Sequence, residues 1–328
     1  PEADAWASMQ KGYVRDLLKL AKAYRKKKDL IAALEVYAHV LEVDPLSRDA
    51  QSAIASIRRT GGSEVAVEDV YAGADPLMGM TPEQLDKANA QHAEWDTAWR
   101  KKTDNYKYRT DAGFLVLETS AIAMEQMNQF YRKFFRFKED GGKTPQIEVR
   151  IFKNRDEYLK LGSSPVEWSA GQFTGSAVET YAGGVSGKES VRSMYGTLFH
   201  EAAHQFVRLT GPFVPGWLNE AYASFFEGCV ILSNGSVRWN RAPAHRLFPL
   251  AQRLEKGWME GAEDGVRGAD GDWGKPTRAP RVRTIVEGAY PWGPPWYAPT
   301  WGLVYFLYNY RSEDGRPVYR DALHEYYV

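Results

Sequence analysis

Five consecutive residues carry the densest chemistry of the chain: His200-Glu201-Ala202-Ala203-His204. On an α-helix, positions i and i+4 share one face about a turn apart, so both imidazoles reach a single metal ion. Glu201 stands about 100° round the helix from His200, where its carboxylate reaches a metal-bound water without ligating. Two histidines do not complete a catalytic zinc site, which takes three protein ligands and leaves a fourth position for water. Glu220 is the candidate third ligand. It lies near the start of a second helical stretch, 217–227, which follows a reversing loop at 211–216.

Composition narrows the chemistry in the same direction. The 328 residues include six histidines and one cysteine, Cys229. One cysteine excludes an internal disulfide framework and any site built from several thiolates. The 42 Lys plus Arg balance 42 Asp plus Glu, which argues against a general nucleic-acid binder and against an acidic disordered chain. The longest apolar stretches, such as 302–307, fall far short of the roughly 20 residues of a membrane span. The chain begins at Pro1 without a signal-like segment and reads as part of a longer precursor, so its compartment stays open.

The elements that must position these groups read as an α+β chain with a helical start. Residues 1–60 are amphipathic and helical, at about 14–27, 30–43 and 48–59. Leu17, Leu20, Ala21, Tyr24, Ala33, Tyr37 and Val40 occupy packing positions, Asp29 serves as a cap and Asp44-Pro45 as a stop. Residues 61–80 are glycine-rich and aperiodic, a linker. Residues 81–328 form the second domain. Thr81-Pro82-Glu83-Gln84 is a capping box that opens a helix to about 102. Strands are expected at 106–110 and 146–152, and helices at 112–137 and 154–161. An edge hairpin is expected at 171–182. Val191, Met194, Leu198, Ala202, Phe206 and Leu209 would seat the histidine helix in a core, and Gly228 would close the next one as a C-cap. A hairpin around Asn234-Gly235, a helix at 244–258, a loop at 259–280 and helices at 298–310 and 316–327 complete the chain.

A family resemblance rests on these residues. His-Glu-x-x-His, a reversing loop and then Asn219-Glu220-x-Tyr222-Ala223-x-x-x-Glu227 resemble the gluzincin zinc metallopeptidases. From about Tyr106 onward the chain is also similar to a bacterial family of peptidase-MA type. The resemblance implies a gluzincin-like domain, with a small mixed sheet and a helical active-site bundle, that binds one Zn2+. It assigns His200, His204 and Glu220 as zinc ligands and Glu201 as the general base. Glu227 matches a further carboxylate of the aminopeptidase N branch. Tyr297, before an apolar helix, resembles that branch's oxyanion donor, with Tyr290 in reserve and His245 as a thermolysin-like option. Residues 1–60 resemble one tetratricopeptide repeat, which implies a surface for a protein partner.

Two functions follow as expectations. The first is a zinc-dependent peptidase that cleaves a peptide or protein substrate through a metal-activated water. An edge strand at 171–182 would pair with the extended substrate. The second is a catalytically inactive zinc-binding scaffold, or a peptide-binding protein with a repeat-like interaction unit.

Overall fold

Local sequence rules account for most of the elements seen in the computed structural model. It describes residues 2–27, 30–44, 46–59, 79–137, 144–163, 165–182, 188–211, 213–231, 236–258, 278–287 and 292–327. Asp29, Pro45, Tyr290, nearly all of the 61–80 linker, the 232–235 turn and most of the 259–280 loop lie outside the described residues. The chain is mixed α+β and divides into two compact units: Pro1–Val65 with Ala242–Pro299, and Ala66–Arg241 with Thr300–Val328. Among the described residues no helix is long and apolar enough to cross a membrane.

The first unit contains α1 (Glu2–Lys26), α2 (Leu30–Val43) and α3 (Arg48–Arg59). Small residues receive large ones here: Ala21, Ala33 and Ala50 are buried with Tyr37, Val40, Leu41 and Ile57. Leu17 and Tyr24 pack on this core, but Leu20 is exposed and does not join it. Leu20 follows Lys19 on the solvent side of α1, so its spacing alone overstated its burial. Phe248, from the helix Ala244–Glu255, packs on the same cluster. The segment after residue 241 thereby shares a core with the N-terminal helices.

The second unit holds the sheet. Thr81 caps α4 (Pro82–Gln91), accepting from Gln84 N while the Gln84 side chain accepts from Thr81 N. The helix stops at Gln91, not near 102. A 3-10 turn (Trp95–Thr97) and strand β1 (Trp99–Lys102) follow, because 99–102 finds an antiparallel partner in β2 (Tyr106–Thr110). Helix α5 (Phe114–Phe134) crosses to β3 (Ile147–Phe152), and α6 (Arg155–Leu161) precedes β4 (Gly171–Phe173) and β5 (Ala177–Tyr181). The sheet order is β1-β2-β3-β5-β4, parallel from β2 through β3 to β5 and antiparallel at both margins. The three-residue strand β4 is therefore an edge, as expected for the hairpin, and β5 is interior.

The stripe Leu117, Ala121, Met124, Met127 and Tyr131 of α5 is buried. Tyr131 and Phe135 meet Phe206 of α7 (Lys188–Thr210) and Phe226, which follows α8 (Gly216–Phe225), in one aromatic core. On α7, Met194, Leu198, Ala202 and Phe206 are buried as their spacing demands, whereas Leu209 is exposed in the last turn and the Val191 side chain lies outside the described residues. α8 ends at Phe225 with Phe226 as its cap, so Gly228 is not the C-cap. Gly228 serves a different need, because a Cβ there would run into the backbone carbonyl of Arg241.

Candidate metal centre

α7 carries the site, and the core beneath fixes its register. Tyr131 Oη donates to the carbonyl of Phe199 at 2.6 Å, one residue before His200. Gln205, one residue after His204, donates from Nε2 to the carbonyl of Pro145 at 2.8 Å. The first bond is buried and the second part-buried, and such polar bonds hold a helix against sliding more specifically than apolar contact does. The chain then reverses through 211–216, and α8 starts at Gly216 with Leu218 and Asn219 amides donating to the Pro215 carbonyl.

The two helices bring the expected residues together. His200, Glu201 and His204 are all buried, and their ligand atoms lie within 4.8 Å of one another. Glu220 Oε2 of α8 lies 3.3 Å from His200 Nε2 and 3.8 Å from His204 Nε2. Zinc bonds of about 2.0–2.1 Å at tetrahedral angles separate neighbouring ligand atoms by roughly 3.3 Å. Glu220 Oε2 stands at that spacing from His200 Nε2 and wider than it from His204 Nε2. Glu201 Oε2 is 3.9 Å from His204 Nε2, beside that set.

The other ring nitrogens are committed elsewhere. His200 Nδ1 pairs with Glu227 Oε1 at 2.8 Å, and His204 Nδ1 with Asn219 Oδ1 at 2.9 Å. Carboxylate and amide oxygens only accept, so each Nδ1 is the donor and each Nε2 is left to face Glu220. The role of Asn219 was only half legible: the sequence allows a cap or a bond nearby, and the fold selects His204.

Electrostatics favour a cation at this point. Burial opposes a charge on His200, but hydrogen bonds to Glu220 and Glu227 outweigh it and push the imidazole up to about 10. Burial raises the Glu201 carboxyl above its ordinary range, against the pull of His200 and His204 and with a push from Glu220 and Glu227. A carboxylate held in that state is a stronger base than one in water.

One border of the site was not foreseen. A Cβ on Gly171, the first residue of β4, would stand 2.5 Å from Thr197 Cγ2 and 3.2 Å from Glu201 Cγ. The edge strand thus runs against α7 at the level of Glu201, and only glycine permits the approach. Its sequence signal was a lone Gly inside a strand pattern, which marks close backbone approach.

The oxyanion candidates Tyr297 and His245 fall in the first unit, and the metal group in the second. Tyr297 belongs to the first unit, where Arg246 sits over its ring at 4.5 Å and Trp292 meets it edge-on at 5.1 Å. His245 is exposed on the helix Ala244–Glu255 of that unit, and Tyr290 is outside the described residues. Cys229 is buried, and burial pushes its thiol well above the usual range, so it does not act as a thiolate.

No family model matches the chain, and no similar curated protein or solved structure is found.

Proposed function

We propose that the chain is a single-zinc peptidase of the gluzincin kind, with the N-terminal helices as a tetratricopeptide-like unit for a protein partner. The observation that supports this reading most is the convergence of His200 Nε2, His204 Nε2 and Glu220 Oε2, with the buried Glu201 beside them. His200, His204 and Glu220 would hold Zn2+. When bound, the ion supplies Lewis-acid polarisation of the scissile carbonyl and lowers the pKa of a water toward about 7.

The protein's own residues would do the rest. Glu227 and Asn219 hold the two imidazoles in the tautomer that presents Nε2. Glu201 accepts a proton from the attacking water and delivers it to the leaving amine nitrogen, so the proton count balances as the peptide C–N bond breaks. The edge strand β4 would align an extended peptide by backbone hydrogen bonds along the same flank as Glu201. Tyr297, in the first turn of the helix Pro294–Asn309 and not ahead of it, would be the oxyanion donor in this reading on the family resemblance alone.

The test is cleavage of unfolded casein by zinc-loaded protein, with Glu201→Gln beside the wild type. The expected result is zinc-dependent cleavage that drops about 10²–10⁴-fold in the variant at unchanged zinc content. A Glu201→Gln variant as active as wild type would overturn the role of the base. Bound zinc without any cleavage would favour the inactive scaffold.

A further inference from the structure

Glu179, on β5, is a carboxylate with no exposed surface at all in a sheet whose other charged side chains reach solvent. It accepts four hydrogen bonds. Arg150 Nη1 of β3 donates to Oε1 at 2.8 Å, and Ser163 Oγ to the same oxygen at 2.6 Å. Ser163 N donates to Oε2 at 2.8 Å, and Gln172 Nε2 of β4 at 2.7 Å. Burial alone would raise the acid, but the bonds from Ser163, Gln172 and Arg150 outweigh it and hold Glu179 below the usual carboxylate range.

Such an ion is costly to bury and persists only when every lone pair is met. What this one joins is informative. Gln172 is the cross-strand partner of Glu179 and the middle residue of β4. β4 has three residues, paired with β5 through Gly171↔Thr180, Gln172↔Glu179 and Phe173↔Val178. A strand so short, paired on one side only, has little hold of its own. Its first residue, Gly171, is the one pressed against Thr197 and Glu201. The loop after α6 is tied to the same carboxylate through Ser163, so three separate segments meet at one charge.

We propose that Glu179 is a positioning residue for the site: through Gln172 it fixes the edge strand Gly171–Phe173 at its place beside Glu201. The consequence for substrate alignment rests on the peptidase reading above, whereas the pinning of the strand does not. Glu179 touches no reacting atom and acts only through the strand it holds.

The experiment uses full-length, zinc-loaded protein as wild type, Glu179→Gln and Gln172→Met. The first variant puts an N–H among donors. The second removes only the link to β4 and keeps the Arg150 and Ser163 bonds, so it covers the case in which Glu179→Gln does not fold. Hydrogen exchange of a fragment spanning 169–175 should quicken about tenfold or more in both variants, while a fragment spanning 198–206 exchanges as in wild type. On unfolded casein, KM should rise about tenfold with kcat within about threefold of wild type and zinc content unchanged. Unaltered exchange at 169–175 in a folded variant overturns the proposal, whatever the activity. A collapse of kcat at constant KM also overturns it. If wild type cleaves no casein and the 169–175 fragment still loosens, the peptidase reading falls and the positioning of the strand stands.

Discussion

Two helical regions of this chain bury their faces for opposite reasons. In α1–α3 the buried set is Ala21, Ala33, Tyr37, Val40, Leu41, Ala50 and their apolar neighbours, small against large. In α7 and α8 the buried set includes His200, Glu201, His204, Gln205 and Ser224 among Leu198, Phe206 and Leu218. The N-terminal helices show that apolar interlock is enough to pack short helices. The ionisable groups on α7 therefore bring nothing that packing requires, and each carries a desolvation cost. Groups held against stability are what the proposed metal site would call for.

That contrast can be broken from either side. The largest effect is expected from Tyr37→Ala. Truncating a fully buried aromatic should cost about 3–5 kcal/mol in urea denaturation, with zinc per folded molecule unchanged. If the variant lost zinc instead, the two regions would not be separable in this way. Next comes Glu227→Gln, which removes the carboxylate on His200 Nδ1. Competition against a chelator should find zinc binding weaker by about 10–100-fold.

The smallest effect sharpens what a buried acid means away from the metal centre. Burial first, and then a hydrogen bond with Glu157, push Asp111 up to about 7, while Glu157 is lowered. Lys153 bridges the pair, with Nζ at 2.7 Å from Glu157 and 3.9 Å from Asp111, and Glu94 stands nearby. An acid whose folded value exceeds its unfolded 3.8 adds stability that is complete below 3.8 and lost as pH rises through about 7. Wild type should therefore lose a few degrees of Tm between pH 5 and 8 relative to Asp111→Asn, whose amide mimics the protonated acid throughout. A constant difference between the two would refute the shared proton.

What was legible in the sequence was what local rules decide. The i, i+4 histidines, the Thr81 capping box, the stripe on α5 and the reversing loop each depend on a few neighbouring residues. What was not legible depends on distant partners. The helix expected to reach 102 ends at Gln91 because 99–102 pairs with β2. Gly228 was read as a cap, yet Arg241, thirteen positions on, is what demands it. Leu20 and Leu209 carry core spacing but lie where the partner surface has ended. Glu179 was invisible because a charge on a strand reads as solvent-facing, and only its four donors, from three other segments, explain its burial. The grouping of 242–299 with the N-terminal helices likewise needs contacts that no local pattern announces.

In the proposed site Glu220 joins His200 and His204 around one zinc ion. Its most direct test is a zinc titration of metal-stripped wild type and Glu220→Gln, followed by competition with a chelator and by X-ray absorption at the zinc edge. The expected result is one zinc per wild-type chain, bound by nitrogen and oxygen atoms at about 2.0–2.1 Å with no sulfur neighbour, and an affinity that drops at least about tenfold in Glu220→Gln. Wild type that takes up no zinc, or a Glu220→Gln variant that binds it with unchanged affinity and the same shell, would contradict it.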